Sequence, residues 1–331
     1  MSAIRNDFAP PSRLRNPHVQ SIYPSLPLRR LGVQRRSRAV LEASQDLVLD
    51  CGDGVRLLAH HSIQERAGRP AAKRLAVLLH GWEGSAQSLY VLSLGQFLFD
   101  QGFDVLRLNL RDHGASHHLN EGIFHSCRIA EVVGAMRRIQ SLNPDRGLNL
   151  AGFSLGGNFS LRVGVRARDA GIEIERLVAV CPVLDPEHTL VRLEAGWMLY
   201  RRYFVWKWRR SLRQKQVAWP RTYDLGEVLR LDNLTDMTEH LVRVYGGYPS
   251  LPQYLRGYAV TGDVLEPLVV RTNIISAADD PIIPAADLQR LARPGALEIT
   301  LTRFGGHCGF HSGGRGPTWI ERQVLAAFNS R

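Results

Sequence analysis

Short apolar runs alternate with stretches of helical spacing from residue 46 to the end of the chain. Apolar runs bounded by Gly, Pro or Asn predict strands, and they fall at 46–51, 55–61, 74–79, 103–109, 148–152, 177–181, 269–276 and 297–301. Stretches of helical spacing lie at 85–101, 125–141, 154–168, 285–291 and 317–329. This alternation predicts an α/β fold, with a mostly parallel central sheet and helices on both faces.

Two segments depart from this alternation. Residues 183–268 are rich in aromatic residues, partly helical in spacing and interrupted by turn signals, which predicts a helical cap or lid inserted between two strands. Residues 1–45 carry five prolines, which prevent a long helix and predict an extended or irregular basic arm. The predicted organisation is therefore an arm (1–45), a core (46–182 and 269–331) and a cap (183–268).

The composition is that of a globular protein, because 44% of the 331 residues are apolar and 22% are charged. No apolar run approaches the roughly 20 residues of a membrane-spanning helix, and the N-terminus lacks the apolar region of a secretion signal. The four cysteines are scattered without a C-x-x-C pair, which is typical of buried thiols in a reducing compartment. These features predict a cytoplasmic location.

The net charge of +11 is concentrated in two places. Residues 1–45 carry a net +6 and residues 195–223 a net +8, so the remainder is slightly acidic. Nucleic-acid binding is not expected, because a basic surface built from many elements and a recognised motif are both missing.

The second basic segment is also rich in aromatic residues. If residues 197–219 form a helix, their spacing places aromatic and basic side chains on opposite faces. Trp197, Phe204, Trp208 and Leu212 fall on one face, with arginines opposite. We expect a cap helix that packs its aromatic stripe over the functional site. The alternative is peripheral contact with an anionic membrane surface.

The segment 152–156 has the sequence GFSLG, a G-x-S-x-G motif between a predicted strand and a predicted helix. Small residues in this context allow a sharp turn that exposes the Ser154 hydroxyl and directs the backbone N–H of Leu155 toward an incoming oxyanion. The helix N-terminus adds a field that favours negative charge. The motif predicts Ser154 as a nucleophile; the alternative is an ordinary glycine-rich turn.

A serine nucleophile needs a base, and in this type of motif the base is a histidine late in the chain. His307 follows the predicted strand 297–301 and has glycines on both sides, which suit a tight loop that presents the ring. We assign His307 as the base. We expect His311, four residues further on, to be a surface histidine.

The orienting acid should precede the histidine and follow another late strand. Asp279 and Asp280 both follow the run 269–276. Asp280 precedes Pro281, which restrains its backbone toward an extended conformation. We assign Asp280 as the acid and Asp279 as a turn cap.

An oxyanion hole needs a second N–H donor from the loop after an earlier strand. The loop HGWEG at 80–84 follows the run 74–79, and its glycines permit unusual dihedral angles. The backbone N–H of Trp82 is the predicted second donor, together with that of Leu155. The Trp82 indole either lines an acyl pocket or packs in the core.

Five segments together resemble one family. They are NPHVQ at 16–20, HGWEG at 80–84, NLRDHGASHHLNEG at 109–122, GFSLGGN at 152–158 and GGHCGF at 305–310. With the order Ser154, Asp280, His307, they resemble the α/β-hydrolase fold and, within it, the YheT-type branch of predicted esterases. The resemblance covers nearly the whole chain and implies hydrolysis of carboxylic esters by the residues assigned above.

Asp112, His113, His117 and His118 form the one cluster with a spacing that suggests metal ligands. Gly114 disfavours a ligand-bearing helix, and zinc needs three or four convergent ligands. We expect a structural turn or a wall of the active-site cleft, with no metal and no organic cofactor.

The sequence therefore predicts a serine esterase that acts on small-molecule acyl esters of short to medium chain length through an acyl-enzyme intermediate. An acyltransferase or thioesterase would use the same residues and remains an alternative. A non-catalytic binding protein on a hydrolase scaffold is a third, although the complete set of Ser154, Asp280 and His307 argues against it. Oligomeric state is not predicted.

Overall fold

One nine-stranded sheet forms the centre of the protein in the computed structural model, which describes residues 4–5, 8–314 and 316–330. The strands are β1 (Ile4–Arg5), β2 (Ser44–Asp50), β3 (Arg56–Ser62), β4 (Arg74–Leu79), β5 (Asp104–Leu108), β6 (Gly147–Phe153), β7 (Ile174–Val180), β8 (Thr272–Ala277) and β9 (Leu297–Thr302). Their order is β1-β9-β8-β7-β6-β4-β5-β3-β2. Among the strands in the described ranges, only the pairs β2–β3 and β3–β5 are antiparallel, so the predicted mostly parallel sheet is confirmed.

Helices cover both faces of this sheet. They are α1 (Pro17–Ile22), α2 (Arg30–Arg36), α3 (Arg38–Glu42), α4 (Leu89–Asp100), α5 (Ile129–Leu142), α6 (Leu155–Arg166), α7 (Pro186–Ala195), α8 (Met198–Ala218), α9 (Leu234–Val244), α10 (Leu251–Arg256) and α11 (Trp319–Asn329). Along β4, side chains alternate between two separate apolar clusters, because successive strand residues point to opposite faces. One cluster includes residues of α5 and α6, and the other includes residues of α3, α4 and α11.

The N-terminal arm is not extended, and this part of the prediction is wrong. The prolines do keep its helices short, but α1, α2 and α3 fold against the core. Pro17 occupies the first helical position of α1, and the Asn16 side chain accepts backbone N–H groups of that first turn. Val33 and Val40 are buried, which anchors α2 and α3 beside α4.

Three predicted helices also differ in extent or type, and one of them, α5, begins at Ile129 rather than at residue 125. Helix α4 begins at Leu89 rather than at residue 85, because Ser88 is extended and its hydroxyl accepts the backbone N–H of Ser85 in a preceding turn. The segment 285–290 is a 3-10 helix rather than an α-helix. These differences depend on local hydrogen bonds, which the spacing of apolar residues does not reveal.

The helices α7 to α10 all lie between β7 and β8, in the segment predicted as the cap. The longest, α8, is fixed to the core by Lys215, whose buried ammonium donates to Asp112 Oδ1 at 2.9 Å and to the carbonyl oxygen of Asn120 at 2.6 Å. Within the described ranges, no helix has both the length and the apolar character needed to cross a membrane.

Candidate active site

Ser154 lies in the sharp turn between β6 and α6. Its φ of +53° is in the left-handed region, which costs a non-glycine residue roughly 1–3 kcal/mol and persists only where the surroundings impose it. A Cβ at Gly152 would lie 2.2 Å from the carbonyl oxygen of Gly156, and one at Gly156 would lie 2.4 Å from that of His80. The motif therefore requires glycine at both positions, so that strand and helix can approach this closely.

The structure brings the three predicted side chains together. His307 Nε2 lies 2.9 Å from Ser154 Oγ, and His307 Nδ1 lies 2.9 Å from Asp280 Oδ2. The other carboxylate oxygen of Asp280 accepts the backbone N–H groups of Ile282 and Ile283 at 2.8 and 2.9 Å. The three residues follow β6, β8 and β9, and the carboxyl ends of parallel strands meet at one edge of the sheet.

Asp279, the other candidate for the acid, supports the loop that carries His307. Asp279 Oδ1 accepts the backbone N–H of Gly306 at 2.8 Å, so this side chain fixes the loop that carries His307. It does not contact the histidine ring, which lies against Asp280 instead.

The prediction that His311 is a surface histidine is wrong, because only 8% of the residue is exposed. Its ring lies edge-on to Tyr23, with Nε2 3.2 Å from the Arg29 guanidinium. Burial, reinforced by Arg29, lowers the pKa of His311 to about 4. The polar sequence around residue 311 gave no sign that the N-terminal helices would cover it.

The N-terminal segment forms hydrogen bonds with the loop that carries His307, a contact that the sequence did not predict. Ser21 Oγ accepts the backbone N–H of His307 at 2.8 Å while donating to the carbonyl oxygen of Pro17. Gln20 exchanges two hydrogen bonds with the backbone of His311, at 2.7 and 3.0 Å. The segment NPHVQ contributed to the family resemblance, but no local pattern paired it with residue 307.

Electrostatics at the site centre on His307. Burial lowers its pKa, but the Asp280 carboxylate and the Cys308 thiolate raise it by more, and the net result is a pKa well above the ordinary value. Burial also opposes ionisation of Cys308. A hydrogen bond with Cys181 and the positive charge of protonated His307 outweigh that effect and lower the pKa of Cys308 to about 6.

The residues of the two predicted oxyanion donors line the same cavity as Ser154. Leu155 is the first residue of α6, and its N–H has no partner within the helix. Trp82 lies in the loop after β4. The preceding residue, Gly81, is close to Ser154, because a Cβ added at Gly81 would lie 3.2 Å from Ser154 Cβ. In the described part of the chain, neither N–H group donates to a backbone carbonyl or a side chain.

A cavity of about 910 Å³ opens next to Ser154 and His307. Trp82 lines it, and its indole stacks on Phe204 with ring centroids 5.2 Å apart and meets Trp208 edge-on at 5.0 Å. The aromatic side of α8 thus covers the site as expected, although Trp197 is half exposed and contacts His18 instead.

The cavity is also lined by polar side chains, among them Glu83, Asp112, His113 and His117. Glu83 lies there beside Lys207, and burial raises the pKa of Glu83 to about 8. Asp112 pairs with Lys215, His113 accepts the backbone N–H of Glu83 through Nε2, and His117 contacts Ser211. Among the residues that the structure describes, no three ligand atoms of these side chains lie within 4.8 Å of one another, and the side chains line the cleft.

The family model for the alpha/beta hydrolase fold matches residues 76–310, and the chain belongs to this family. It is 25% identical over 327 residues to the Escherichia coli (strain K12) protein named "Putative esterase YheT", across 96% of this chain and 92% of that protein. The resemblance to the YheT-type branch is thereby confirmed.

Solved structures share the fold. The esterase Pf2001 of Pyrococcus furiosus has a TM-score of 0.55 at 14% identity, covering 87% of this chain and 92% of that chain. Est1E of Butyrivibrio proteoclasticus, solved with ferulic acid, has a TM-score of 0.54 at 16% identity, covering 86% of this chain and 100% of that chain. At such low identities these structures establish a common fold and no more.

Proposed function

We propose that this protein is a serine esterase that hydrolyses carboxylic esters of small molecules through an acyl-enzyme intermediate. The observation that carries the proposal is the continuous hydrogen-bonded chain from Ser154 Oγ through both ring nitrogens of His307 to Asp280. Similarity over nearly the full length to the protein named "Putative esterase YheT" supports the same reaction class.

In the acylation step, His307 Nε2 accepts the proton of Ser154 Oγ as the oxygen attacks the ester carbonyl. Asp280 holds Nδ1–H and stabilises the imidazolium that forms. The imidazolium then gives its proton to the leaving alcohol. Water attacks the acyl-enzyme by the same proton transfers in reverse, and the acid is released.

The negative charge of each tetrahedral intermediate develops next to the backbone N–H groups of Leu155 and Trp82. Both groups lack other partners in the described structure, so no existing hydrogen bond has to break before they donate to the oxyanion. A donor of this kind contributes typically about 3–4 kcal/mol to transition-state stabilisation.

The acyl group is proposed to bind among Trp82, Phe204 and Trp208. These rings make one wall of the cavity apolar, and burial of each CH₂ group contributes about 0.8 kcal/mol. A cavity of about 910 Å³ has room for an acyl chain of short to medium length together with its alcohol portion. The helices between β7 and β8 act as the cap in this proposal.

The proposal is tested by kinetics on aryl esters of increasing acyl length. Ser154→Ala should lose activity by at least about 10⁴-fold, since removing a member of such a triad has effects of that order or larger. The matched control is Ser211→Ala, because Ser211 Oγ also lies 2.9 Å from a histidine nitrogen but that histidine, His117, has no carboxylate partner among the described residues. Retained hydrolysis in Ser154→Ala would refute the proposal. Formation of a new ester with an added alcohol, in place of the free acid, would indicate acyl transfer.

A further inference from the structure

Two free cysteines lie directly beside the proposed catalytic histidine, and the reaction uses neither. The sulfur atoms of Cys181 and Cys308 and a ring nitrogen of His307 all lie within 4.8 Å of one another. Cys181 follows β7 and is completely buried, while Cys308 follows His307 and lines the cavity. The backbone N–H of Cys308 donates to Cys181 Sγ at 3.4 Å, which holds the two residues together.

We propose that Cys181, Cys308 and His307 form an inhibitory site for a thiophilic divalent cation such as Zn²⁺ or Cd²⁺. Two thiolates and a neutral imidazole are the donors that these cations prefer, and together they neutralise the charge of the ion. Three protein ligands leave a fourth position open toward the cavity. This inference concerns regulation and rests on the proposed function, because inhibition needs an activity to inhibit.

The spacing of the three donors is close to what a tetrahedral ion requires. With metal–sulfur bonds near 2.3 Å and metal–nitrogen bonds near 2.0–2.1 Å, donor atoms on one zinc ion lie about 3.6–3.8 Å apart. The donors here lie within 4.8 Å, so shifts of about 1 Å or less suffice. The cavity provides the path of entry, since both Cys308 and His307 line it.

Binding at this site and ester hydrolysis exclude each other. Both nitrogens of His307 are already engaged, Nδ1 with Asp280 and Nε2 with Ser154. The Cys308 sulfur lies 3.7 Å from the carbonyl oxygen of Val180, which also accepts the Ser154 backbone N–H. A cation held by the two sulfurs and by a nitrogen of His307 displaces either Ser154 or Asp280 from the ring, and the loss of either partner stops hydrolysis.

A second group of candidate ligands serves as an internal comparison. Asp185, His188 and Asp287 also bring three donor atoms within 4.8 Å, but they offer carboxylates and no sulfur, and Arg290 forms an ion pair with the two carboxylates. Removal of His188 should leave thiolate coordination and inhibition unchanged.

The test is a titration of the full-length, chelator-treated protein with CdCl₂ and, separately, with ZnSO₄. The cadmium titration follows the thiolate-to-metal charge-transfer absorption in the ultraviolet, and the zinc titration follows ester hydrolysis. One Cd²⁺ per chain should produce the absorption, zinc should inhibit, and a chelator should restore activity. Cys181→Ser should weaken both effects by at least tenfold, because losing even an outer partner of a metal ligand costs 10–100-fold in affinity.

Cys181→Ser keeps a side chain of similar shape that can still form hydrogen bonds. Cys51→Ser is the matched control, because Cys51 is another buried thiol that donates to a backbone carbonyl. If Cys181→Ser does not fold, Cys308→Ser provides the same measurement. The inference is overturned if the absorption is missing, or if it or zinc inhibition persists unchanged in the cysteine variants. Charge-transfer absorption in a protein without esterase activity would support the site while refuting the proposed function.

Discussion

Ser21 Oγ accepts the backbone N–H of His307 at 2.8 Å, across 286 positions of the sequence. The N-terminal segment is thus a support of the candidate active site rather than a separate arm. Gln20 strengthens the connection, because its side chain donates a hydrogen bond to the His311 carbonyl oxygen and accepts one from the His311 N–H. The loop that carries the histidine is consequently held from two sides, by α1 and by Asp279.

Ser21→Ala should lower kcat for ester hydrolysis about threefold to tenfold with little change in KM. The variant removes one hydrogen bond worth about 1 kcal/mol and loosens the loop that aims the ring of His307. Ser12→Ala, at an exposed serine of the same segment, is the control. A variant that retains wild-type kcat would show that Ser21 does not position the histidine.

Asp280→Asn should reduce kcat by about 10⁴-fold, because an amide cannot stabilise the imidazolium and favours the wrong tautomer of His307. Asp279→Asn should have a much smaller effect, since its remaining carbonyl oxygen can still accept the N–H of Gly306. Steady-state kinetics on both variants checks the assignment. Equal losses in the two, or a larger loss in Asp279→Asn, would contradict it.

Lys215→Met should destabilise the protein by about 3–5 kcal/mol. The ammonium is buried and pairs with Asp112, so its removal leaves an uncompensated carboxylate in the interior. Burial already raises the pKa of Asp112 to about 6 with the lysine in place. Urea unfolding measures the loss, and the double variant Lys215→Met, Asp112→Asn should recover a large part of it. A single variant as stable as the wild type would show that this ion pair does not anchor α8.

The acidic limb of kcat/KM should have its midpoint above pH 6.5. Hydrolysis needs neutral His307, and Asp280 and Cys308 outweigh burial and raise the pKa of that imidazole above its ordinary value. Activity is therefore lost as pH falls through this raised pKa. Cys308→Ser removes one of the groups that stabilise the imidazolium, so its midpoint should move to lower pH.

The pH profile is measured for both proteins in buffer that contains a chelator. Cys51→Ser, which changes a thiol remote from His307, should keep the wild-type midpoint. A midpoint at or below 6.5 in the wild type, or one that Cys308→Ser leaves in place, would contradict this view of the site.

The parts of the fold that depend on local patterns could be predicted from the sequence. Strand β4 was predicted with its observed limits because it is a continuous apolar run that both apolar clusters share. The Ser154 turn was predicted because glycine at 152 and 156 is a strict steric requirement there. Asp280 could be preferred over Asp279 because of the proline that follows it.

What could not be predicted depends on contacts between distant segments. The pairing of Ser21 with His307 and the burial of His311 both arise when α1 and the segment 23–29 pack against the loop that follows β9. Nothing in the polarity of either segment encodes that contact. The proximity of Cys181 to Cys308 is of the same kind, because it results from two strand ends meeting at one edge.

The central claim, that Ser154 is an activated nucleophile, is tested most directly by intact mass after treatment with a fluorophosphonate. The wild type should gain the mass of a single adduct, and peptide mapping should place it on Ser154. Ser211→Ala should be labelled in the same way, and Ser154→Ala should remain unlabelled although folded. Absence of an adduct on folded wild-type protein, or an adduct that persists in Ser154→Ala, would contradict the account.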